Sequence, residues 1–75
     1  MARNRQLVRI LALIRALRER RRELHELVVI GGVTTRTIRR DLDVISCSGI
    51  PIRNIVEGRG PGVVGFWWIP REWNL

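Results

Sequence analysis

Apolar side chains recur with helical spacing at the start of the chain. Leu7, Leu11, Ile14 and Leu17 fall on one stripe, broadened by Ile10 and Leu13. This spacing predicts a helix over residues 4 to 20, with the stripe turned to the core. Arg3, Arg5, Arg9, Arg15 and Arg18 lie mostly off the stripe, as a solvated face would. Arg20-Arg21-Arg22 marks a break, although no Gly or Pro enforces it. A second helix is predicted over residues 23–30, with Leu24, Leu27 and Val28 inward. Its β-branched run Val28-Val29-Ile30 weakens helix formation by roughly a few tenths of a kcal/mol per residue, so packing must hold it.

Gly31-Gly32-Val33 predicts a tight turn, and a third helix follows over residues 34–46. Thr34 is placed to cap it by accepting from a free backbone N–H. Ile38, Leu42 and Ile45 recur at steps of four and three and define the inner face. At about 100° per residue the outer face carries Arg36, Arg39, Arg40 and Asp43. Asp41 falls on the flank of the inner face, where it is expected to pair with an arginine or a backbone donor. Gly49 is the candidate left-handed residue after the helix. Beyond it the period changes to two. Ile50–Val56 reads as a strand with Pro51 at its start, and Val63–Ile69 as a returning strand ended by Pro70. The glycine-rich link Glu57–Gly62 is expected to have no regular structure and carries Arg59 at its tip. Alternation sets Phe66 and Trp68 on one face, Trp67 and Ile69 on the other. One of these faces should cover the helices, and Trp73 should fold back onto the sheet.

Three helices followed by a two-stranded hairpin over residues 50–69 make an α+β domain spanning residues 1–75. A chain of this length buries only about 60% of its unfolded surface, so its core is thin and a partner subunit would help to stabilise it. A hydrophobic content of 45% is ordinary for a folded domain. The net charge of +7 favours a polyanionic partner, with nucleic acid ahead of an acidic membrane surface. No apolar run approaches the roughly 20 residues needed to span a bilayer, and arginines interrupt the start where a signal peptide would be apolar. The single cysteine, Cys47, has no partner within the chain, which fits a reducing, cytoplasmic setting.

The basic residues shape the chemistry further. All 14 Lys and Arg positions are Arg. Its planar fork grips phosphate, or guanine O6 and N7, with two hydrogen bonds, and Thr reaches phosphate or a thymine methyl. A short helix with an apolar back and an Arg/Thr front, entered by a tight turn, suits a DNA groove. Catalysis is not expected: Asp41 and Asp43 have no nucleophile or histidine beside them. His25 stands without a second ligand at metal spacing, and the alternating Gly58, Gly60 and Gly62 lack the following helix of a phosphate loop. No metal or cofactor is therefore expected. Trp67, Trp68 and Trp73 read as core or interface. They leave two other readings open: a protein-interaction or oligomerisation module, and single-strand binding by base stacking.

The stretches Gly32-Val33-Thr34-Thr35-Arg36-Thr37-Ile38-Arg39-Arg40-Asp41-Leu42, Gly49-Ile50-Pro51-Ile52 and Gly65-Phe66-Trp67-Trp68-Ile69 resemble the N-terminal winged helix-turn-helix domain of DeoR-type and WYL-type bacterial transcription regulators. The resemblance implies sequence-specific binding of double-stranded DNA by the third helix, in a homodimer, with the hairpin as wing. Thr34, Thr35, Arg36, Thr37, Arg39 and Arg40 would then face DNA, and Arg59 would lie on the wing. Arg36 and Arg39 match base-edge positions, and Thr34, Thr37 and Arg40 match phosphate positions. The chain departs from the family at Gly31, where an apolar side chain is usual, so the second helix is expected to end early or pack loosely there. The segment between the first two helices is also short. The family's effector-sensing domain has no counterpart in these residues, so no small-molecule effector is carried over.

Overall fold

Helix α1 spans Arg5–Glu19, α2 spans Leu24–Gly31 and α3 spans Thr35–Cys47, each within about a residue of the boundaries that periodicity predicts. The computed structural model describes residues 4–58 and 60–73. Between α1 and α2 lies a feature that periodicity does not predict, the two-residue strand β1 (Arg22–Glu23). It pairs antiparallel with β3 (Val64–Trp68), and β2 (Arg53–Glu57) pairs with the other edge of β3, giving the order β1-β3-β2. The expected two-stranded hairpin is therefore part of a three-stranded antiparallel sheet. Two residues cannot display an alternation, and neither Arg nor Glu favours a strand. The pairing with Phe66 and Trp67 makes the strand.

The same two residues explain how the chain reverses without Gly or Pro. Arg22 Nε donates to the Ala16 carbonyl at 3.0 Å, and its Nη2 donates to Glu19 at 2.7 Å, so the end of α1 is tied to β1. Glu26 completes the junction. Its carboxylate accepts from the Glu23 backbone N–H at 3.1 Å and from Arg20 Nη2 at 2.6 Å. The Arg20 hydrogen bond, then that of Glu23, holds the Glu26 carboxyl below its ordinary range.

Strand β2 begins at Arg53 rather than Ile50. Pro51 has no N–H to give to a ladder, and Ile50 and Ile52 pack against the core instead. The glycine-rich link is also more regular than expected, since Gly60–Gly62 form a short 3-10 turn. Gly49 has φ +96°, the left-handed conformation foreseen for the residue that ends α3. After β3, Ile69 enters the core, and its N–H donates to the Leu17 carbonyl at 3.0 Å.

The core comprises Leu13, Leu17, Leu27, Ile38, Leu42, Ile45 and Ile69. Helix α1 is turned differently from its expected stripe. Leu13, Ala16 and Leu17 are buried, whereas Leu7 and Leu11 are each 56% exposed. Apolar residues occupy more than half the circumference of α1, so spacing alone defines two overlapping stripes. The packing partners in α2 and β3 select the one containing Ala16.

Asp41 is 1% exposed and is gripped by two nitrogens of Arg9, with Nη2 to Oδ1 at 3.0 Å and Nε to Oδ2. The sequence foresees such a partner for Asp41. It does not foresee the part played by Gly31. A Cβ there would lie 3.0 Å from Ile38 Cδ1 and 3.2 Å from Arg9 Cδ. Helix α2 neither ends early nor packs loosely at this glycine. The missing side chain is the space through which Arg9 passes to reach Asp41.

Two outcomes follow for stability. Replacing Asp41 with Ala leaves the Arg9 guanidinium without its anion and should lower unfolding free energy by about 3 kcal/mol in urea titration. Adding Arg9→Met to that variant should restore part of the loss. The depressed Glu26 carboxyl sets an acid limit. Its contribution is complete above the ordinary Glu value of 4.5 and is lost as pH falls through the lower folded value. Melting temperature should therefore drop on acidification below about pH 4.5, and less steeply in Glu26→Gln.

Candidate nucleic-acid interface

Thr34 has extended backbone and caps α3, accepting from the Thr37 N–H at 3.3 Å. The Thr34 and Thr37 hydroxyls are also 3.2 Å apart, so each can orient the other. This cap fixes the start of α3, and the buried row Ile38, Asp41, Leu42 and Ile45 fixes its rotation. Helical geometry then turns Arg36, Arg39, Arg40 and Asp43 outward. Thr34, Thr35, Arg36, Arg39 and Arg40 are exposed, and Thr37 is half-buried. All six positions inferred from the sequence thus lie at the N-terminal end of α3, with Arg36, Arg39 and Arg40 on its outer side and Thr35 and Thr37 on opposite flanks. The seventh, Arg59, lies outside the described residues.

Several arginines are neutralised within the fold. Arg9 pairs with Asp41, Arg20 with Glu26, Arg21 with Glu57, and Arg22 with Glu19 and Glu26. Among the described residues, Arg36, Arg39 and Arg40 have no carboxylate within ion-pair distance. Their guanidinium groups keep their donors for an external acceptor.

A groove of about 330 Å³ separates α3 from the sheet. Arg39 lines one wall, Val63, Val64 and Gly65 the other, and Leu24, His25 and Trp67 lie between. The loop end of the β2–β3 hairpin therefore lines the same groove as Arg39. His25 is 72% exposed on the rim and sits 3.4 Å from Glu23 Oε2. Sequence reasoning leaves His25 as an ordinary surface residue. Its place here depends on β1, which brings the start of α2 against β3, and β1 has no sequence signal.

The aromatic side chains are largely committed within the domain. Trp67 and Trp73 pack against the core. Phe66 lies beneath Arg21, whose guanidinium carbon is 4.2 Å from the ring centre, and Arg21 is itself held by Glu57 at 2.9 Å. Trp68 is half-buried on the same face of the sheet as Phe66. Among the described residues, no three His, Cys, Asp or Glu side chains gather where they could hold a metal ion. No helix among them is long and apolar enough to cross a membrane.

The Thr34 cap can be tested separately from any ligand. Thr34→Ala should lower stability by about 1 kcal/mol in chemical denaturation, because an N–H at the start of α3 loses its acceptor. Thr34→Ser should retain most of the wild-type value.

Comparison of the chain with protein-family models, with curated proteins and with solved structures finds no match.

Proposed function

We propose that the protein is a winged helix-turn-helix module that binds double-stranded DNA with sequence preference and regulates transcription by occupying an operator. The observation that carries this reading is the exposed front of α3, where Arg36, Arg39 and Arg40 stand unpaired beside Thr34, Thr35 and Thr37. An α-helix with its side chains is about 10–12 Å across and the major groove about 12 Å wide. In this reading α3 enters the major groove by its N-terminal half. Arg36 and Arg39 reach base edges, most favourably guanine O6 and N7, while Thr34, Thr37 and Arg40 hold phosphates. Thr35 flanks the same entry point. The β2–β3 hairpin acts as the wing, set on the backbone next to the groove that Arg39 lines, and Arg59, which falls between the two strands in the sequence, is assigned to it.

The alternative of a protein-interaction module built on the tryptophan-rich hairpin has less support. Trp67 and Trp73 are taken up by the core. A stacking platform for single strands meets the same objection, since Phe66 is already covered by Arg21.

Selection of bound sequences from a random duplex pool, followed by fluorescence anisotropy on the enriched site, tests the reading. Arg36→Ala and Arg39→Ala should each cost about 1–3 kcal/mol and broaden the preference at one or two base pairs. Arg40→Ala should weaken binding to all duplexes alike and reduce the slope of affinity against salt by about one. No enrichment, or equal weak binding by wild type and the Arg36 and Arg39 variants, would overturn the proposal.

A further inference from the structure

Where β2 begins and β3 ends, the domain carries a depression lined by arginines and apolar side chains. Four segments converge on it: the end of α1, the residues leading into β1, the start of β2 and the turn after β3. It measures about 620 Å³, within the roughly 300–1,000 Å³ typical of small-molecule sites. Ile55, Trp68 and Pro70 give it an apolar lining over the buried Leu17 and Ile69. Trp67 and Trp68 point to opposite faces of β3, so Trp67 lines the groove beside Arg39 and Trp68 lines this depression. The two share no residue.

Its cations fall into two sets. Arg20 and Arg21 are committed, to Glu26 at 2.6 Å and to Glu57 at 2.9 Å, and Arg21 also covers Phe66. They serve as fixed walls. Arg18, Arg53 and Arg71 line the same depression, and among the described residues none of them has a carboxylate within ion-pair distance. Of the two acids in the lining, Glu19 binds Arg22 at 2.7 Å, which leaves Glu72 as the uncommitted one among the described residues. Uncommitted arginines thus outnumber uncommitted acids three to one. The frame that holds them is built. Arg53 stands opposite Trp68 in the ladder, which sets its side chain next to the indole. Arg18 lies 5.9 Å from the centre of the Trp73 ring, and the Trp73 N–H donates to the Pro70 carbonyl at 3.1 Å, closing the turn that carries Arg71. The Ile69 N–H on the Leu17 carbonyl, at 3.0 Å, ties that turn to α1.

We propose that this depression binds a planar aromatic carboxylate. The ring lies against Trp68 and Ile55, and the carboxylate is held by Arg53 and Arg18, with Arg71 at the rim. A guanidinium fork matches a carboxylate with two parallel hydrogen bonds, and both partners are planar. A duplex suits the site poorly, since it presents phosphates and keeps its bases stacked, leaving the apolar lining uncovered. An uncharged apolar molecule would leave the three arginines without an acceptor. The site goes beyond the DNA-binding reading and does not rest on it.

The test is a nuclear magnetic resonance titration of the isotope-labelled full chain with a panel of one- and two-ring aromatic carboxylates, naphthoate among them. At least one should shift the Trp68 indole and the Arg18 and Arg53 side-chain N–H signals saturably, and leave those of Arg36, Arg39 and Arg40 in place. The matching carboxamide, which keeps the ring and lacks the charge, should bind about tenfold more weakly. Arg53→Gln and Arg18→Gln should each keep the wild-type circular dichroism and weaken carboxylate binding about tenfold. Inorganic phosphate should leave the Trp68 signal in place. The proposal is overturned if no member of the panel gives a saturable shift, or if the α3 arginines shift equally. A Trp68 shift with phosphate alone, or unchanged affinity in both glutamine variants, also overturns it. Failure of the wild type to bind duplexes would count against the function proposed above and leave this result intact.

Discussion

Asp41 and Arg9 form the interaction on which the orientation of α3 depends. A carboxylate that is 1% exposed has lost nearly all its hydration, and such a loss is offset only by well-aligned donors. Arg9 supplies two nitrogens from α1, far away in sequence. If α3 rolled by a third of a turn, Asp41 would leave its fork while Arg36 or Arg40 moved toward apolar side chains. Apolar packing of Ile38, Leu42 and Ile45 alone would tolerate some slippage, since aliphatic contacts are not directional. The ion pair is directional. It fixes one rotation, and that rotation sends Arg36, Arg39 and Arg40 outward. Gly31 belongs to the same arrangement, because any side chain at that position would compete with the stem of Arg9 for space.

Much of this was legible in the amino-acid order because α3 is strongly periodic. The four-and-three spacing of Ile38, Leu42 and Ile45 determines which residues face out, and Thr34 marks the start. Asp41 was readable as an internal partner because an acid beside the apolar row cannot stay unpaired. What could not be read had no local signal. Strand β1 exists through pairing with β3, and a two-residue strand carries no period of its own. The rotation of α1 was ambiguous because its apolar residues form two stripes, and only the position of α2 and β3 decides between them. Gly31 looked like a weakness by comparison with an apolar side chain, whereas its role is set by Arg9, which only the folded chain brings there. His25 entered the candidate interface for the same reason, through β1 and the start of α2.

The acidic residues matter as much as the basic ones. Glu19, Glu26, Asp41 and Glu57 are spent on Arg22, Arg20, Arg9 and Arg21, ties that join α1, β1, α2, α3 and β2 to one another. The net charge of +7 therefore resides in arginines outside these ties. Local pairing takes up Arg9, Arg20, Arg21 and Arg22 where the chain needs structural ties. Among the described residues it leaves Arg36, Arg39 and Arg40 without an acid partner on the front of α3, as it does Arg5, Arg15 and Arg18 on α1 and Arg53 on β2. An approaching polyanion would meet a net positive field, which attracts it and speeds encounter.

This division also bears on how a domain of 75 residues keeps a stable core. Several ties that close it are polar and sit at element ends: Arg22 on the Ala16 carbonyl, Glu26 on the Glu23 N–H, and the Ile69 N–H on the Leu17 carbonyl. They hold the ends of α1 and β3 together without adding apolar volume. That economy leaves the apolar residues at the start of α1 without an internal role, since the core is already closed around Leu13 and Leu17. A surface that contributes nothing to its own fold, yet exposes Leu7, Val8 and Leu11 together, lowers solubility unless something covers it.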